Sequence, residues 1–222
     1  MKRRDFVKTM TAAGVGLLVP RLAAGTEQVK PNADIKRVLV MFKCHFDAGF
    51  IDTQYNVVHR YFDRYFPKAI EVARAANAGG KRRYVWTTGS WLQYEYLEQA
   101  SAADRKAMEA AIARGEIAWH ALPFTGQTEM LSPSMSEGSV ALARSLDERF
   151  GATTTGAKMT DVPGHTRGIV PALAHQNVTF LEIGTNGGST PAELPPLFLW
   201  KDASSGTSLA MMYHHEYGGV AV

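Results

Sequence analysis

His45 and Asp47 are two residues with metal-binding side chains, and they lie two positions apart in the segment CHFDAGFIDT (residues 44–53). The apolar run RVLVMF before them predicts a buried strand. Side chains two positions apart on a strand point to the same side, so both could reach one ion. An imidazole nitrogen and a carboxylate oxygen suit Zn²⁺ or a similar divalent ion. The alternative is that Asp47 begins a turn with Gly49, while His45 makes an ordinary hydrogen bond near the core.

Asp161 is a second candidate centre, in the segment MTDVPGHTRG (residues 159–168). It follows a predicted strand and precedes a Pro-Gly turn, with His165 four residues later. A carboxylate here could be a third metal ligand, a nucleophile, or both. Aspartate is also a favoured N-cap and turn residue, so the alternative is that Asp161 caps the start of the following helix.

Two further kinds of side chain lie near the histidine–aspartate pair. Cys44 is the only cysteine, so the chain can form no internal disulfide, and we predict a buried, inert thiol rather than a Cys–His nucleophile pair. Aromatic faces can stack on sugar rings, and Phe50 is the best placed candidate for such a contact. A second aromatic group is predicted to belong mainly to the core: Trp86, Trp91, Tyr94 and Tyr96.

The elements that must position these residues alternate between strands and helices. Apolar, β-branched runs predict strands at 35–42, 83–87, 116–122, 156–160 and 178–184. Helical spacing and capping residues predict helices within 54–78, 90–114, 132–151 and 166–176, the first kinked or split by Pro67. Residues 196–215 read as a hairpin around DASSG.

This order predicts parallel strands joined by helical crossovers, and therefore an α/β fold with about five strand–helix units. Active sites of barrels and of open α/β sheets form at the carboxyl ends of the strands. Polar side chains follow most of the predicted strands and are expected to meet at one rim: His45, Asp47, Thr87, Thr88, His120, Asp161, Thr185 and Asn186. We predict a partial barrel, with an open sheet as the alternative.

Residues 1–25 have the layout of an export signal, with a basic start, a short apolar run and a small-residue end. The pair Arg3-Arg4, followed by an aromatic residue and a lysine, resembles a twin-arginine signal. The apolar run is too short to span a membrane, so no stable anchor is expected. We therefore predict an exported, periplasmic or extracellular protein that engages the twin-arginine machinery, with a linker at 26–34 and a single domain at 35–222.

The net charge of +3 belongs to this predicted signal. Residues 1–25 hold five of the 24 basic side chains and one of the 21 acidic ones, so the remaining chain has a net charge of −1. Nucleic-acid binders need clustered positive charge, which the remaining chain does not have. Nucleic acid is therefore not an expected partner.

Taken together, these motifs resemble glycoside hydrolase family 38, the α-mannosidase family, and most closely an uncharacterised family of exported bacterial proteins related to it. The segment HFDAGF (45–50) matches the His-x-Asp-x-Gly-aromatic segment that ends the first strand of those enzymes. WTTGSWL (86–92), GEI (115–117) and DVPGH (161–165) match further blocks in the same order.

The resemblance implies a seven-stranded β/α barrel with a zinc ion at its carboxyl rim. His45, Asp47 and Asp161 match three zinc ligands, and Asp161 also matches the nucleophile of a retaining mechanism. Phe50 matches an aromatic residue that lines the sugar site. We predict that Asp52, His120 and His165 also contact the carbohydrate substrate.

The family's fourth zinc ligand and its general acid come from far downstream and have no counterpart here. The chain therefore resembles a truncated N-terminal part, which we expect to be poorly stable and almost inactive alone, because an open barrel exposes strand edges. Two other functions remain open. A metal-dependent carbohydrate deacetylase would use related ligands, although its usual H-x-x-x-H motif is absent, and a degenerate relative would bind carbohydrate without catalysis.

Overall fold

The computed structural model describes residues 33, 34, 36, 44–162 and 164–215. The predicted export signal at 1–25 lies outside these ranges, as does the predicted first strand apart from residue 36. Within the described part of the chain, no helix is both long enough and apolar enough to cross a membrane.

The first helical segment comprises α1 (Gln54–Arg60), a π-helical turn (Tyr61–Tyr65) and α2 (Phe66–Asn77). The side chain of Thr53 caps its start by accepting a hydrogen bond from the Asn56 amide. Pro67 was expected to kink or split this helix, but the helix continues through it. Proline has no N–H and its ring crowds the carbonyl four residues earlier, and the helix widens into a π-turn just before it.

The next unit contains strand β1 (Trp86–Gly89), helices α3 (Ser90–Gln99) and α4 (Ala102–Ala113), and strand β2 (Ile117–His120). The two strands pair in parallel, with Trp86 opposite Ile117 and Gly89 opposite His120. The predicted helical range 90–114 is confirmed and contains two helices, and the Ser101 side chain caps α4 by accepting a hydrogen bond from the Asp104 amide. The structure therefore forms the predicted strand–helix–strand crossover in this region.

The third unit was expected to hold one helix over 132–151, and this prediction is wrong in detail. The segment forms two helices, α5 (Pro133–Gly138) and α6 (Ala141–Phe150), and a left-handed Gly151 ends the second. The elements that follow are strand β3 (Gly156–Thr160), helix α7 (Ile169–Ala174) and strand β4 (Phe180–Gly184). The segment 132–151 still returns the chain to the sheet, so β3 and β4 pair in parallel as expected.

The predicted hairpin is confirmed as β5 (Leu197–Lys201) and β6 (Ser208–His214), which pair antiparallel. Strand β6 also pairs in parallel with β4, giving the order β3-β4-β6-β5. Among the described residues the strands form this sheet and the separate β1-β2 pair. A backbone hydrogen bond of 2.8 Å from Ala121 to Gly156 links the end of β2 to the start of β3. The α/β class is confirmed, whereas the described strands do not close into a barrel.

The carboxyl ends of three parallel strands lie level with one another. The amide of Asp161, which follows β3, donates to the carbonyl of Gly184 at the end of β4, at 2.8 Å. The amide of Thr185 donates in turn to the carbonyl of His214 at the end of β6, at 3.2 Å. Residues that follow β3 and β4 are therefore brought to one edge of the sheet, as the sequence order predicted.

Candidate metal centre

Three side chains from two distant parts of the chain converge at this edge. His45, Asp47 and Asp161 each offer a ligand atom, and the three atoms lie within 4.8 Å of one another. The His45 Nε2 atom lies 3.4 Å from the Asp161 Oδ2 atom. All three residues are partly buried. We call this group the metal corner.

The donor set of the metal corner fits a zinc ion. Zinc binds imidazole nitrogen and carboxylate oxygen at about 2.0–2.2 Å, so two of its ligands lie at most about 4.4 Å apart. The His45–Asp161 separation falls inside this limit, and a small movement brings the third atom within it. The corner offers three protein ligands, which is the number found in catalytic zinc sites.

Strand β3 holds the His45 ring from its other side. The His45 Nδ1 atom lies 3.0 Å from the Thr160 Oγ1 atom, and the Lys158 ammonium donates to that same oxygen at 3.0 Å. A threonine hydroxyl can accept two hydrogen bonds, so Thr160 can accept from both donors. In the tautomer with the proton on Nδ1, His45 donates to Thr160 and the Nε2 lone pair is directed towards the carboxylate side of the corner. Metal-binding histidines are commonly oriented in this way.

The electrostatic surroundings keep His45 neutral. Partial burial lowers the pKa of His45 below its usual value, and the positive charge of Lys158 lowers it further. The negative charges of Asp161 and Asp47 act in the opposite direction but do not cancel the effect of burial. A histidine must be neutral to bind a metal, so the lowered pKa favours ligation at neutral pH.

Asp161 has an unusual backbone conformation. Its φ angle is +72°, which is uncommon for a residue with a side chain. The Asn186 Nδ2 atom donates a short hydrogen bond of 2.5 Å to the Asp161 Oδ1 atom. The next helix begins after Gly168, so Asp161 does not cap it, and that alternative is wrong. Strained backbone conformations often occur at functional sites, and this one belongs to the residue whose carboxylate meets His45.

The turn that Asp47 was expected to begin with Gly49 is not the one observed, because the chain bends at residues 49–52 instead. Gly49 adopts a φ angle of +94°, and its amide donates to the carbonyl of Asp52 at 3.1 Å. The Tyr61 hydroxyl donates to the carbonyl of His45 at 2.8 Å and fixes this segment to the π-helical turn. The turn and the metal corner therefore coexist, and the Asp47 carboxylate lies in the corner.

The predicted substrate residues of this segment lie outside the corner. Phe50 is 89% exposed, which leaves its ring available for contact but without support from neighbouring residues. Asp52 pairs with Arg60 at 3.0 Å and accepts hydrogen bonds from Asn56 and from the amide of Thr53. The hydrogen bonds from Asn56 and Thr53, with Arg60 nearby, lower the pKa of Asp52. Asp52 thus supports the start of α1, and its substrate contact stays a prediction.

His120 and His165 occupy two separate cavities. His120 lines a cavity of about 450 Å³ together with Lys158 and Glu182. His165 lines another, of about 480 Å³, together with Trp200 and Tyr213. Burial lowers the pKa of His120 to about 3 and that of His165 to about 4. Both are therefore neutral at physiological pH, and their contact with substrate also stays a prediction.

Cys44 has the properties of an inert thiol. Burial raises its pKa to about 11, so the thiol is protonated at neutral pH. Its carbonyl, rather than its sulfur, contributes to the site by accepting a hydrogen bond from the Lys158 ammonium at 3.0 Å. These observations are against a Cys–His nucleophile pair.

Lys158 and Thr160 are the supporting residues that sequence reasoning missed. Both lie on β3 at positions two apart, and both are buried. The only signal was two polar residues, alternating with apolar ones, within the strand sequence GAKMT. That pattern predicts a polar face on the strand, but it does not identify His45 as the group facing it.

Comparison with known proteins gives matches in structure only. No family model matches the sequence, and no curated protein is similar enough in sequence to count as a match. An α-mannosidase from Enterococcus faecalis V583 superposes on 78% of this chain with a TM-score of 0.62 at 10% identity. The chain shares its fold with part of that enzyme. The match covers 19% of the α-mannosidase chain.

A 4-alpha-glucanotransferase from Thermococcus litoralis also matches over 78% of this chain, with a TM-score of 0.53 and 12% identity. The match covers 27% of the glucanotransferase chain. The chain therefore spans less than a third of the solved proteins that it resembles. Both matches agree with the mixed α/β architecture.

Proposed function

We propose that this chain supplies the metal-binding part of the active site of an exported, zinc-dependent glycoside hydrolase, which acts on α-mannoside-like sugars with retention of configuration. The observation that carries the proposal is the convergence of His45, Asp47 and Asp161 at the carboxyl edge of the sheet. The shared fold with part of an α-mannosidase supports it.

Asp161 is the proposed nucleophile. One oxygen of its carboxylate attacks the anomeric carbon as the bond from that carbon to the leaving oxygen breaks, and a general acid from elsewhere in the enzyme protonates the leaving oxygen. Water then cleaves the resulting ester, gives its proton to the base so formed, and releases the sugar and the free carboxylate. The hydrogen bond from Asn186 holds Oδ1 and so orients the whole carboxylate. An aspartate is ionised at neutral pH, so no base is needed to activate it.

His45, Asp47 and Asp161 would hold the zinc ion. When bound, zinc acts as a Lewis acid on sugar hydroxyls and helps to orient the ring. In the tautomer that ligation requires, His45 donates from Nδ1 to the Thr160 hydroxyl oxygen, which also accepts from Lys158. The fold therefore supplies a prepared histidine as well as two carboxylates.

Zinc titration of the full chain by calorimetry tests the ligand assignment. We expect His45→Ala and Asp161→Ala to bind zinc far more weakly than the parent chain, because each removes a ligand. Thr160→Val keeps the side-chain shape but removes the acceptor for His45, and loss of such a partner typically weakens metal affinity roughly 10–100-fold. His215→Gln is the matched control, because His215 is exposed and outside the corner. Equal affinities in all variants would show that these residues are not ligands.

Covalent trapping separates this function from the two others that remain open. A fluorinated mannoside is expected to form a stable glycosyl ester on Asp161, which mass spectrometry of the digested protein would locate. A metal-dependent deacetylase uses a metal-activated water and would release acetate without an ester. Zinc and sugar binding with neither product would identify a carbohydrate-binding relative. An ester on another carboxylate would contradict the role of Asp161.

A further inference from the structure

An aromatic cleft lies on the segment that carries His45 and Asp47. Its walls are the rings of Phe46, Trp91 and Phe124, and the cleft encloses about 400 Å³. Ala48, Gln54 and Thr125 complete its lining. None of these six residues belongs to the metal corner.

The cleft and the metal corner are built on the same segments. Phe46 lies between His45 and Asp47 in the sequence. On the other side, Thr125 accepts a hydrogen bond from the amide of Thr160 at 3.5 Å, and Thr160 also contacts the His45 ring. A ligand group in the cleft would therefore be a near neighbour of a group at the metal corner.

The rings present a surface suited to a sugar. The centroids of Phe46 and Trp91 are 5.6 Å apart, and those of Trp91 and Phe124 are 6.2 Å apart with the planes at 80°. Phe124 is 45% exposed, so part of its ring is open to a ligand in the cleft. Gln54 and Thr125 place an amide and a hydroxyl among the rings. Ligand sites typically combine apolar walls with a few such polar groups.

The backbone holds two of the rings in place. The Ser90 amide donates to the carbonyl of Leu122 at 3.1 Å, and the Trp91 amide donates to the carbonyl of Pro123 at 3.3 Å. The first amides of a helix have no partner within the helix, so these bonds satisfy them and also fix the loop that carries Phe124. The cleft is thus preorganised, which reduces the entropy lost when a ligand binds.

We propose that the aromatic cleft is a carbohydrate subsite, which binds one pyranose unit next to the unit held at the metal corner. The apolar face of the sugar packs on Trp91 and Phe124, and its hydroxyls bond Gln54 and Thr125. Gln54 and Thr125 give the cleft an amide and a hydroxyl that sugar hydroxyls can bond, which favours a sugar over a purely apolar ligand. The statement that a reacting sugar unit lies at the metal corner rests on the proposed function. Sugar binding in the cleft does not, because it needs no zinc.

The test is a titration of the full chain with methyl α-D-mannopyranoside, in which the NMR signal of the Trp91 indole N–H reports binding. The variant Phe124→Ala removes an exposed wall of the cleft, and Phe124→Tyr keeps a ring there. Leu199→Ala is the matched control, because Leu199 is 53% exposed and lies on β5, outside the cleft. We expect Phe124→Ala to weaken sugar affinity roughly three- to tenfold, as loss of one aromatic contact does. Phe124→Tyr and Leu199→Ala are expected to stay within about twofold of the parent chain, because both keep every ring of the cleft.

Zinc affinity measured on the same proteins distinguishes the two proposals. Unchanged zinc binding in Phe124→Ala, together with weakened sugar binding, supports the cleft. If the chain binds no zinc but its sugar binding depends on Phe124, the result supports the proposed subsite and contradicts the proposed zinc site. Two results would overturn the proposed subsite and leave the zinc site untouched. One is equal sugar affinity in Phe124→Ala and the parent chain, and the other is a chain that binds zinc but no sugar.

Discussion

Replacing Gly89 with alanine is expected to lower the free energy of unfolding by about 3 kcal/mol or more. An alanine Cβ at this position would lie 2.2 Å from the carbonyl oxygen of Pro123 and 3.0 Å from its carbon. These are backbone atoms, so no side-chain rotation relieves the clash. Gly89 has φ −64° and ψ 148°, which alanine adopts freely, so the effect would be steric rather than conformational.

The displaced loop would also lose its hydrogen bonds to the start of α3. The amides of Ser90 and Trp91 would separate from their acceptors in 122–123, at a net cost of about 1 kcal/mol for each bond. Urea unfolding followed by circular dichroism measures the total. Gly138→Ala is the control, because Gly138 is helical and nothing lies within 4 Å of its added Cβ. Alanine there should be neutral or slightly stabilising, and an equal loss in both variants would contradict the steric explanation.

Acidification from pH 6.5 to 4.5 is expected to remove roughly 4 kcal/mol of stability through His120 and His165 alone. Their pKa values in the folded chain are lowered to about 3 and about 4, mainly by burial. An unfolded histidine titrates near 6.5, so between these values the unfolded chain binds more protons than the folded chain. The stabilising effect is therefore complete above pH 6.5 and is lost as the pH falls towards the folded pKa values.

The charges near these two rings act in opposite directions. The ammonium of Lys158 lowers the pKa of His120 further, whereas the carboxylate of Glu129 partly raises that of His165. We therefore expect His120→Gln to reduce the slope of unfolding free energy against pH by up to about 1.4 kcal/mol per pH unit. Urea unfolding at intervals between pH 7.5 and 4.5 gives this slope. An unchanged slope in His120→Gln would mean that burial does not lower the pKa of this ring.

The parts of the fold set by local pattern were predictable. Strand β3 occupies the predicted residues 156–160, and the hairpin of β5 and β6 turns at the predicted DASSG segment. In both cases apolar alternation and turn residues act within a few positions of one another. The predicted helix at 132–151 is interrupted directly after Gly138, and glycine disfavours helix interiors, so the sequence carried a signal that the prediction did not use.

The composition of the metal corner was also predictable, because His45, Asp47 and Asp161 each follow a predicted strand and carry ligand side chains. The residues that hold these three ligands in place were not predictable. The contact of Thr160 with His45 joins residues far apart in sequence, and so does the approach of Pro123 to Gly89. Such contacts depend on how the strands are placed side by side, which no local pattern records.

The π-helical turn at Tyr61–Tyr65 has a consequence for insertions and deletions in this region. A π-turn is an α-helix that has accommodated one additional residue, so deleting one residue there would restore regular α-helical geometry. A one-residue insertion or deletion at the start of α2, where the helix is regular, would instead rotate everything before it by about 100° relative to the rest of α2. Tyr61, whose hydroxyl holds the carbonyl of His45, belongs to the part that would move. A one-residue length change in a helix could therefore separate His45 from Asp161 without altering a single ligand.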